Sequence, residues 1–221
     1  MGFFSKLFGR RKVEQPAPEG PDIAPELAPA LEAYQAGRPD EAVTLAEPYL
    51  DRDVDAQRLC ALAHSEAGRF EQAFPHWLAL FEREPSAHNA CQLASSSVMC
   101  GEVARGEAWL QKAHEINQQT EETSSARFLV SFIAALQQSG HLAEALPHLA
   151  VLRDLYGQLS ITDSTFLYLR GLPFFSTFLQ NSLPTLQALQ PRETVLAWYG
   201  ELRGRLDEDG EAQLAAWMER L

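Results

Sequence analysis

The amino-acid sequence predicts an all-α fold, an array of antiparallel helical hairpins with a divergent helical cap at its C-terminal end. The main observation is a phrase that occurs four times: a glycine, a bulky residue two positions later and a small residue five positions later. The phrase begins at Gly37, Gly68, Gly101 and Gly140, so successive glycines are 31, 33 and 39 residues apart. A period in this range is typical of stacked helical hairpins. Apolar residues at helical spacing between the glycines support the same prediction.

The first twelve residues combine an apolar stripe with basic side chains. Three phenylalanines and one leucine share one face of a short helical pattern, and four cations but no carboxylate accompany them. This combination predicts weak, reversible binding to an anionic membrane interface. The predicted membrane-binding residues are Phe3, Phe4, Lys6, Leu7, Phe8, Arg10, Arg11 and Lys12. Two alternatives stay open: residues 1–12 dock on the chain's own groove, or they are a short peptide ligand for a partner.

Residues 13–25 are predicted to form a flexible linker between that segment and the helical part of the chain. The linker has prolines at positions 16, 18, 21 and 25. Proline has no amide hydrogen and restricts the residue before it, so the pattern favours an extended chain over a helix.

Residues 26–157 are predicted to form the helical repeats. Each glycine of the phrase is expected to end one helix in the left-handed conformation, and the next helix starts one or two residues later. The best-defined pair has a first helix from about Asp55 to Ala67. Its second helix begins near Phe70, carries apolar residues along one face and stops before Pro85.

That pair resembles the tetratricopeptide repeat (TPR) family. Its matching residues are Ala61, Gly68, Phe70, Ala73, Trp77, Leu80 and Pro85. The other three pairs match more weakly. The first matches at Ala30, Gly37, Ala42 and Tyr49, and the third at Leu93, Ala94, Gly101, Val103, Gly106, Leu110 and Ala113. The fourth matches at Phe132, Gly140, Leu142, Ala145, Leu149 and Leu152. The resemblance covers about residues 24–157. It implies a TPR-like α-solenoid in which the first helix of each hairpin lines a concave, protein-binding surface.

Residues 158–221 no longer carry the phrase, and we expect an atypical helical repeat followed by C-terminal capping helices. A stacked array needs a cap because its last repeat otherwise exposes an apolar face. The predicted helices are 165–170, 174–180, 185–189, 192–206 and 211–221, with interruptions at Leu172-Pro173 and Leu183-Pro184. The side chains expected in the core of this region are Phe166, Leu167, Phe174, Phe175, Phe178, Trp198 and Trp217.

The distribution of charge excludes one class of partner. Residues 1–12 carry four basic and no acidic side chains, whereas the rest of the chain carries 14 basic and 30 acidic ones. An acidic body repels nucleic acid, because binding to phosphates needs many cationic contacts. We therefore expect no nucleic-acid partner. Lysine is rare while arginine, alanine and leucine are common, which favours a bacterial source with a GC-rich genome.

No motif for catalysis, metal binding or cofactor binding is found in the sequence. It lacks a Gly-rich phosphate loop, HExxH and GxSxG, and its three cysteines show no zinc-ligand spacing. His64, His76 and His88 are evenly spaced by twelve, yet the hairpin pattern places them on three different helices. His141 and His148 would lack a third ligand. We expect no cofactor, no metal and no enzymatic activity.

The sequence also predicts a cytoplasmic location, peripheral at the inner membrane through residues 1–12. An odd number of cysteines favours a reducing compartment. The pattern of a secretory signal is absent, and no apolar run approaches the roughly 18 residues needed to cross a bilayer.

By the TPR resemblance, exposed side chains on the first helices are expected to bind a protein or peptide partner. The ten predicted partner-binding residues are Tyr34, Arg58, Leu62, Ser65, Glu66, His88, Ser95, Met99, Arg127 and Val130. The same surface is expected to include Leu31, Gln35, Cys91, Val98, Ala134 and Gln137. The alternative is that several of these residues pack internally against the N-terminal linker or the C-terminal cap.

These observations predict a non-enzymatic adaptor or scaffold that binds a peptide or helix on its concave repeat surface. One alternative function is an acidic inhibitor or immunity-type protein that masks a basic partner. Another is a small-ligand sensor or enzyme with a pocket near residues 174–178.

Overall fold

The computed structural model describes residues 23–221, and in this part the chain is all-α, with twelve α-helices and no β-strand. The helices are α1 (Ala28–Gln35), α2 (Pro39–Ala46), α3 (Val54–Glu66), α4 (Phe70–Arg83), α5 (Ala87–Met99), α6 (Val103–Thr120), α7 (Ser125–Gln138), α8 (Leu142–Leu159), α9 (Ser164–Leu169), α10 (Phe175–Leu189), α11 (Arg192–Gly200) and α12 (Glu208–Met218). Two short 3-10 turns lie at Pro25–Leu27 and Glu47–Tyr49. The predicted segment 1–12 and most of the predicted linker 13–25 lie outside the described residues.

A glycine in the left-handed conformation separates the two helices of each predicted pair. The φ angles lie between +72° and +82° at Gly37, Gly68, Gly101 and Gly140. After each of these glycines, the next amide donates to a carbonyl five residues back, as Arg69 N–H does to His64 C=O at 2.8 Å. This bond satisfies a carbonyl that the end of the helix leaves without a partner. The predicted helix ends at the four glycines are confirmed.

Two further glycines continue the pattern beyond the region in which the sequence predicted it. Gly171 has a φ of +71° and Gly204 a φ of +73°. They lie 31 residues after Gly140 and 33 residues after Gly171. Gly171 separates α9 from α10, and Gly204 separates α11 from α12. The described chain is therefore a series of six consecutive helix pairs.

One predicted helix break is wrong. Pro184 lies inside α10, so a single helix replaces the predicted helices 174–180 and 185–189. Pro75 and Pro147 likewise lie inside α4 and α8. All three prolines are exposed, and so is Gln180, the residue whose carbonyl loses its helical partner to Pro184. Water can therefore replace the missing hydrogen bond.

Two other expectations for the C-terminal region are corrected. The predicted helix 192–206 ends at Gly200, and residues 201–206 form turns around the left-handed Gly204. Phe174, expected in the core, is half exposed because it precedes the first turn of α10. Of the other six predicted core side chains, Leu167, Phe175 and Phe178 are buried, and Phe166, Trp198 and Trp217 are partly buried against the same core.

Contacts between Cα atoms divide the chain into two compact units, with the division between Pro85 and Ser86. In the first unit α1 packs against α2, α3 against α4, and both α1 and α2 contact α3. Alanines dominate its core and allow the helices to approach closely. The core cluster that joins α1, α2 and α3 consists of Leu27, Ala30, Ala33, Ala42, Val43, Ala46, Ala56, Leu59, Cys60 and Ala63.

In the second unit, α5 and α6 form a hairpin, as do α7 and α8, and α7 contacts both α5 and α6. Helix α10 then packs against α8, α11 and α12. One aromatic-rich core joins α7 and α8 to the C-terminal helices. The ring of Tyr156 of α8 packs against that of Phe178 of α10, with centroids 4.8 Å apart and planes tilted by 34°, and the Tyr156 hydroxyl donates a 2.7 Å hydrogen bond to the Pro173 carbonyl.

Candidate binding surface

The ten predicted partner-binding residues all lie on the first helices of the first four pairs. Tyr34 is on α1, and Arg58, Leu62, Ser65 and Glu66 are on α3. In the second unit, α5 carries His88, Ser95 and Met99, and α7 carries Arg127 and Val130. Each of the ten side chains is at least partly exposed.

In the first unit, a hydrogen bond joins two of the predicted residues across neighbouring first helices. The Tyr34 hydroxyl donates to Glu66 Oε1 at 2.7 Å. Burial raises the pKa of Tyr34 well above its ordinary value, and the hydrogen bond to the Glu66 carboxylate and its charge raise it further. Tyr34 is therefore protonated at neutral pH and holds Glu66 in a fixed position beside α1.

Two more predicted residues of α3 make contacts with α4 or its end. Arg58 forms ion pairs with Asp55 and with Glu84 Oε2, the latter at 2.6 Å. Ser65 Oγ accepts a 3.0 Å hydrogen bond from Trp77 Nε1. Both contacts fix α3 against α4, so Arg58 and Ser65 have structural partners within the unit.

Leu62 lies between these fixed polar groups. It is one helical turn after Arg58 and one turn before Glu66, and it is partly exposed. Leu62 is therefore a partly exposed apolar side chain with polar neighbours on the same face of α3.

A pair of histidines stacks within the same unit. The rings of His64 on α3 and His76 on α4 are 5.5 Å apart with an interplanar angle of 17°. Arg69 Nε donates to His64 Nδ1 at 3.0 Å, and His76 Nδ1 lies 2.8 Å from Gln57 Oε1. Burial lowers the pKa of both histidines, and for His64 the charge of Arg69 lowers it further. The two rings are therefore mostly neutral at neutral pH.

His64, His76 and His88 lie on α3, α4 and α5, as predicted. Among residues 23–221, no group of three or more His, Cys, Asp or Glu side chains is placed to hold a metal ion. His141, which precedes α8, and His148 within it also have separate contacts. His148 Nε2 is 2.7 Å from Glu107 Oε1, whereas His141 Nδ1 is 4.0 Å from Glu144 Oε1.

In the second unit, α5 exposes one narrow stripe. His88, Gln92, Ser95 and Met99 follow a 4-3-4 spacing, and most of the other residues of the helix are buried. Gln92 was not predicted, although its position between His88 and Ser95 in the helical spacing is a sufficient signal.

Two residues of α5 that were expected on this surface are buried instead. Cys91 is 7% exposed and Val98 is fully buried. Val98 points toward α6, where its Cγ2 atom is close to the backbone of Gly106. Burial raises the pKa of the Cys91 thiol to about 12. Neither residue is available to a partner.

Helix α7 is partly covered by the C-terminal helices. Val130 packs against the aromatic-rich core of the unit. Gln137 Nε2 donates to the Asn181 carbonyl and to Thr185 Oγ1 of α10, both at 2.9 Å. Val130 and Gln137 therefore pack within the unit, which is the alternative stated for this surface in the sequence analysis. Arg127 and Ala134 remain exposed.

One cavity of about 210 Å³ lies in the C-terminal region, away from residues 174–178. It is lined by Gln187, Gln190, Arg192, Val195 and Leu221. Arg192 Nε donates there to the Leu221 backbone oxygen at 2.6 Å. The main polar group beside the cavity is thus already engaged by the chain itself.

No protein-family model and no curated protein matches the chain. The TPR resemblance therefore stays a prediction that rests on the residues quoted above. None of the described helices combines the length and apolar character needed to cross a bilayer.

Proposed function

We propose that this chain is a non-enzymatic adaptor or scaffold that binds a peptide or helix of another protein through its first helices. The observation that carries the proposal is the packing of successive first helices within each unit, α1 against α3 and α5 against α7. This packing sets partly exposed side chains from two helices beside each other. A peptide lying across them would contact both helices at once.

The fixed polar groups of the first unit support this mode of binding. Tyr34, Arg58 and Ser65 hold their partners at 2.6–3.0 Å, so these side chains lose little conformational freedom when a ligand arrives. Leu62 in the first unit and Met99 in the second supply apolar contacts. Methionine adapts to partners of different shapes because its side chain is unbranched and flexible.

One thiol and two histidines of the first unit support a role without chemistry. Burial raises the pKa of Cys60 to about 11, with a further contribution from the charge of Glu47, so this thiol is protonated at neutral pH. His64 and His76 use ring nitrogens in contacts with Arg69 and Gln57.

The basic segment 1–12 adds a cellular location to the proposal. Its apolar stripe and four cations would tether the chain weakly to the inner face of a bacterial membrane, as the sequence predicts. The helical body would then present its partner at that surface, in the cytoplasm. No cofactor and no nucleic acid would take part.

A specific feature also favours the second candidate function, an acidic inhibitor that masks a basic partner. Residues 23–85 carry twelve carboxylates and five arginines. Contacts within the unit already engage all five arginines: Arg38, Arg52, Arg58, Arg69 and Arg83. The surplus of carboxylates is available to a basic protein. Such binding would weaken strongly with added salt, whereas an apolar peptide contact would weaken little.

Affinity capture followed by mass spectrometry tests the proposed adaptor function. The full chain and a chain lacking residues 1–12 are used in parallel as baits in the native host. We expect one protein to be captured by both baits, since recognition is assigned to the helical body. A partner that is lost with the deletion would instead make residues 1–12 the recognition element.

A further inference from the structure

Three large apolar side chains are exposed on either side of the junction between α9 and α10. Tyr168 is 55% exposed, Leu169 74% and Phe174 50%. We call residues 168–174 the apolar loop. The loop lies within the second unit, and Leu172 in its middle is buried.

The backbone of the apolar loop is held in place on both sides. The Tyr156 hydroxyl donates to the Pro173 carbonyl at 2.7 Å, and Ser124 Oγ donates to the Arg170 carbonyl. Gly171 adopts a left-handed conformation, and Leu172 N–H donates to the Leu167 carbonyl at 2.9 Å. The three apolar side chains are thus presented to solvent by a defined loop structure.

The charge around the apolar loop is opposite to that of most of the chain. Residues 164–192 contain no carboxylate, although the whole chain has 30, and residues 123–143 contain none either. Arg170 lies in the loop, with its guanidinium 5.2 Å from the Phe166 ring centroid. The side chain of Arg127, from α7, lies directly against Gly171.

The nearest carboxylates in sequence are engaged elsewhere. Asp163 Oδ1 accepts from the Phe166 amide at 2.8 Å, at the other end of α9. The Glu122 carboxylate accepts from the Ala87 amide at 3.0 Å, at the start of α5. Two arginines and three exposed apolar side chains therefore define the surface at this loop.

We propose that the apolar loop is a membrane contact that inserts Leu169 and Phe174 into the interfacial region of an anionic bilayer. The apolar side chains would enter the boundary between headgroups and acyl chains, where tyrosine is also favoured. Arg127 and Arg170 would lie at the level of the anionic headgroups. A carboxylate at this surface would be repelled, which agrees with the absence of acidic residues from both segments.

Charge favours an anionic bilayer, and not residues 1–12 of the chain itself, as the partner of the apolar loop. Residues 1–12 carry four cations, so they and the two arginines at the loop repel each other. The membrane contact at the apolar loop does not depend on the peptide-binding function proposed for the first helices. If residues 1–12 also bind lipid, two weak contacts act together and give tighter binding than either alone.

Co-flotation of the full chain with vesicles tests the proposal. The vesicles contain either 30% phosphatidylglycerol in phosphatidylcholine or phosphatidylcholine alone. The loop variant is Leu169→Gln/Phe174→Gln. The matched control is Val151→Gln/Ile161→Gln, which replaces two other exposed apolar residues of the same unit, 53% and 38% exposed. Because all four side chains are exposed, we expect both variants to fold, as checked by circular dichroism.

We expect the loop variant to bind anionic vesicles about tenfold more weakly than the wild type, since two apolar side chains no longer enter the interface. The control should bind within about twofold of the wild type. Arg127→Gln/Arg170→Gln should weaken binding to anionic vesicles and leave binding to neutral ones unchanged.

Equal binding of the loop variant and the wild type would overturn the proposal. If deletion of residues 1–12 then abolished flotation, the tether proposed for that segment would still stand. An equal loss in the control variant would also overturn the proposal, because it would show a general effect of surface apolarity. A wild-type chain that binds neither kind of vesicle would contradict both membrane contacts.

Discussion

The Tyr34 hydroxyl at the end of α1 donates a 2.7 Å hydrogen bond to Glu66 Oε1 at the end of α3. The bond joins the first helices of two successive pairs at the surface assigned to partner binding. It also connects residues 32 positions apart in the chain, so it reports directly on the packing of α1 against α3.

Removal of this bond should lower the stability of the first unit slightly. Tyr34→Phe keeps the ring and deletes only the hydroxyl, and the bond is close to solvent, so the expected loss is about 0.5–1 kcal/mol. Urea unfolding measures it. Glu66→Ala in the Tyr34→Phe background should then cost little more, since the two residues act as a pair. Fully additive losses would show that the bond contributes nothing.

Gly106 should be intolerant of a side chain. An added Cβ would lie 2.6 Å from Val98 Cγ2 and 3.2 Å from a ring carbon of Phe132. Glycine to alanine normally stabilises a helix by about 1 kcal/mol. Gly106→Ala should instead destabilise the chain by about 1–3 kcal/mol through overpacking. Gly200→Ala is the control, because the nearest atom there is Met218 Cε at 3.9 Å, and it should be neutral or stabilising.

Ala73→Glu tests the packing of α4. Ala73 is fully buried, one turn before the buried Trp77. An unpaired carboxylate at this position should cost on the order of 3–5 kcal/mol, and circular dichroism should show loss of helix or of cooperative melting. The neighbouring Gln72 is exposed, so Gln72→Glu should change stability by less than about 0.5 kcal/mol. A fully helical Ala73→Glu chain with an unchanged melting temperature would show that α4 is packed in another register.

Asp207 should make stability depend on pH in the acid range. Its carboxylate accepts hydrogen bonds from the Thr162 amide at 2.7 Å and the Gly210 amide at 2.9 Å. Burial raises the pKa of Asp207, but the hydrogen bonds from Thr162 and Gly210 outweigh this and lower it below its ordinary 3.8. The stabilisation is therefore present above about pH 4 and is lost as the pH falls through the lowered pKa.

Melting temperatures of the wild type and Asp207→Asn between pH 2 and 7 measure this effect. At pH 7 the wild type should be more stable, by roughly 0.3–1 kcal/mol, because asparagine also caps a helix but lacks the negative charge that is favourable at a helix N-terminus. The difference should shrink as the pH falls from about 4 through the lowered pKa, because Asp207 then becomes protonated and uncharged, as asparagine is. A difference that stays constant down to pH 2 would contradict the assignment.

The sequence predicted the first four helix pairs well, because their glycines satisfy a backbone requirement that few other residues meet. Gly171 and Gly204 meet the same requirement at the same spacing. The phrase at Gly171 was overlooked, since Pro173 and Ser176 follow it as Pro39 and Ala42 follow Gly37. Gly204 departs from the phrase because Asp209 stands where a small residue was expected. Pro184 was expected to break α10, but its exposed position removes most of the cost.

The candidate surface was predictable only in part. Residues such as Leu62 and Met99 follow from helical spacing. The burial of Cys91 and Val98, and the cover that α10 provides over Gln137, depend on contacts between helices that are distant in sequence. The exposure of Phe174 depends on the conformation of a loop. Hydrophobicity alone does not distinguish an exposed phenylalanine from a buried one.

The most direct test of binding on the first helices is to measure by calorimetry the affinity of the captured partner for variants of those helices. Leu62→Gln/Met99→Gln alters predicted contact residues, and Gln72→Ala/Ala108→Gln alters exposed residues of the second helices α4 and α6. The first variant should raise Kd by about tenfold or more, which corresponds to about 1.4 kcal/mol, and the second should leave Kd within about twofold of the wild type. An unchanged Kd for the first variant, or an equal loss in the second, would contradict binding on the first helices.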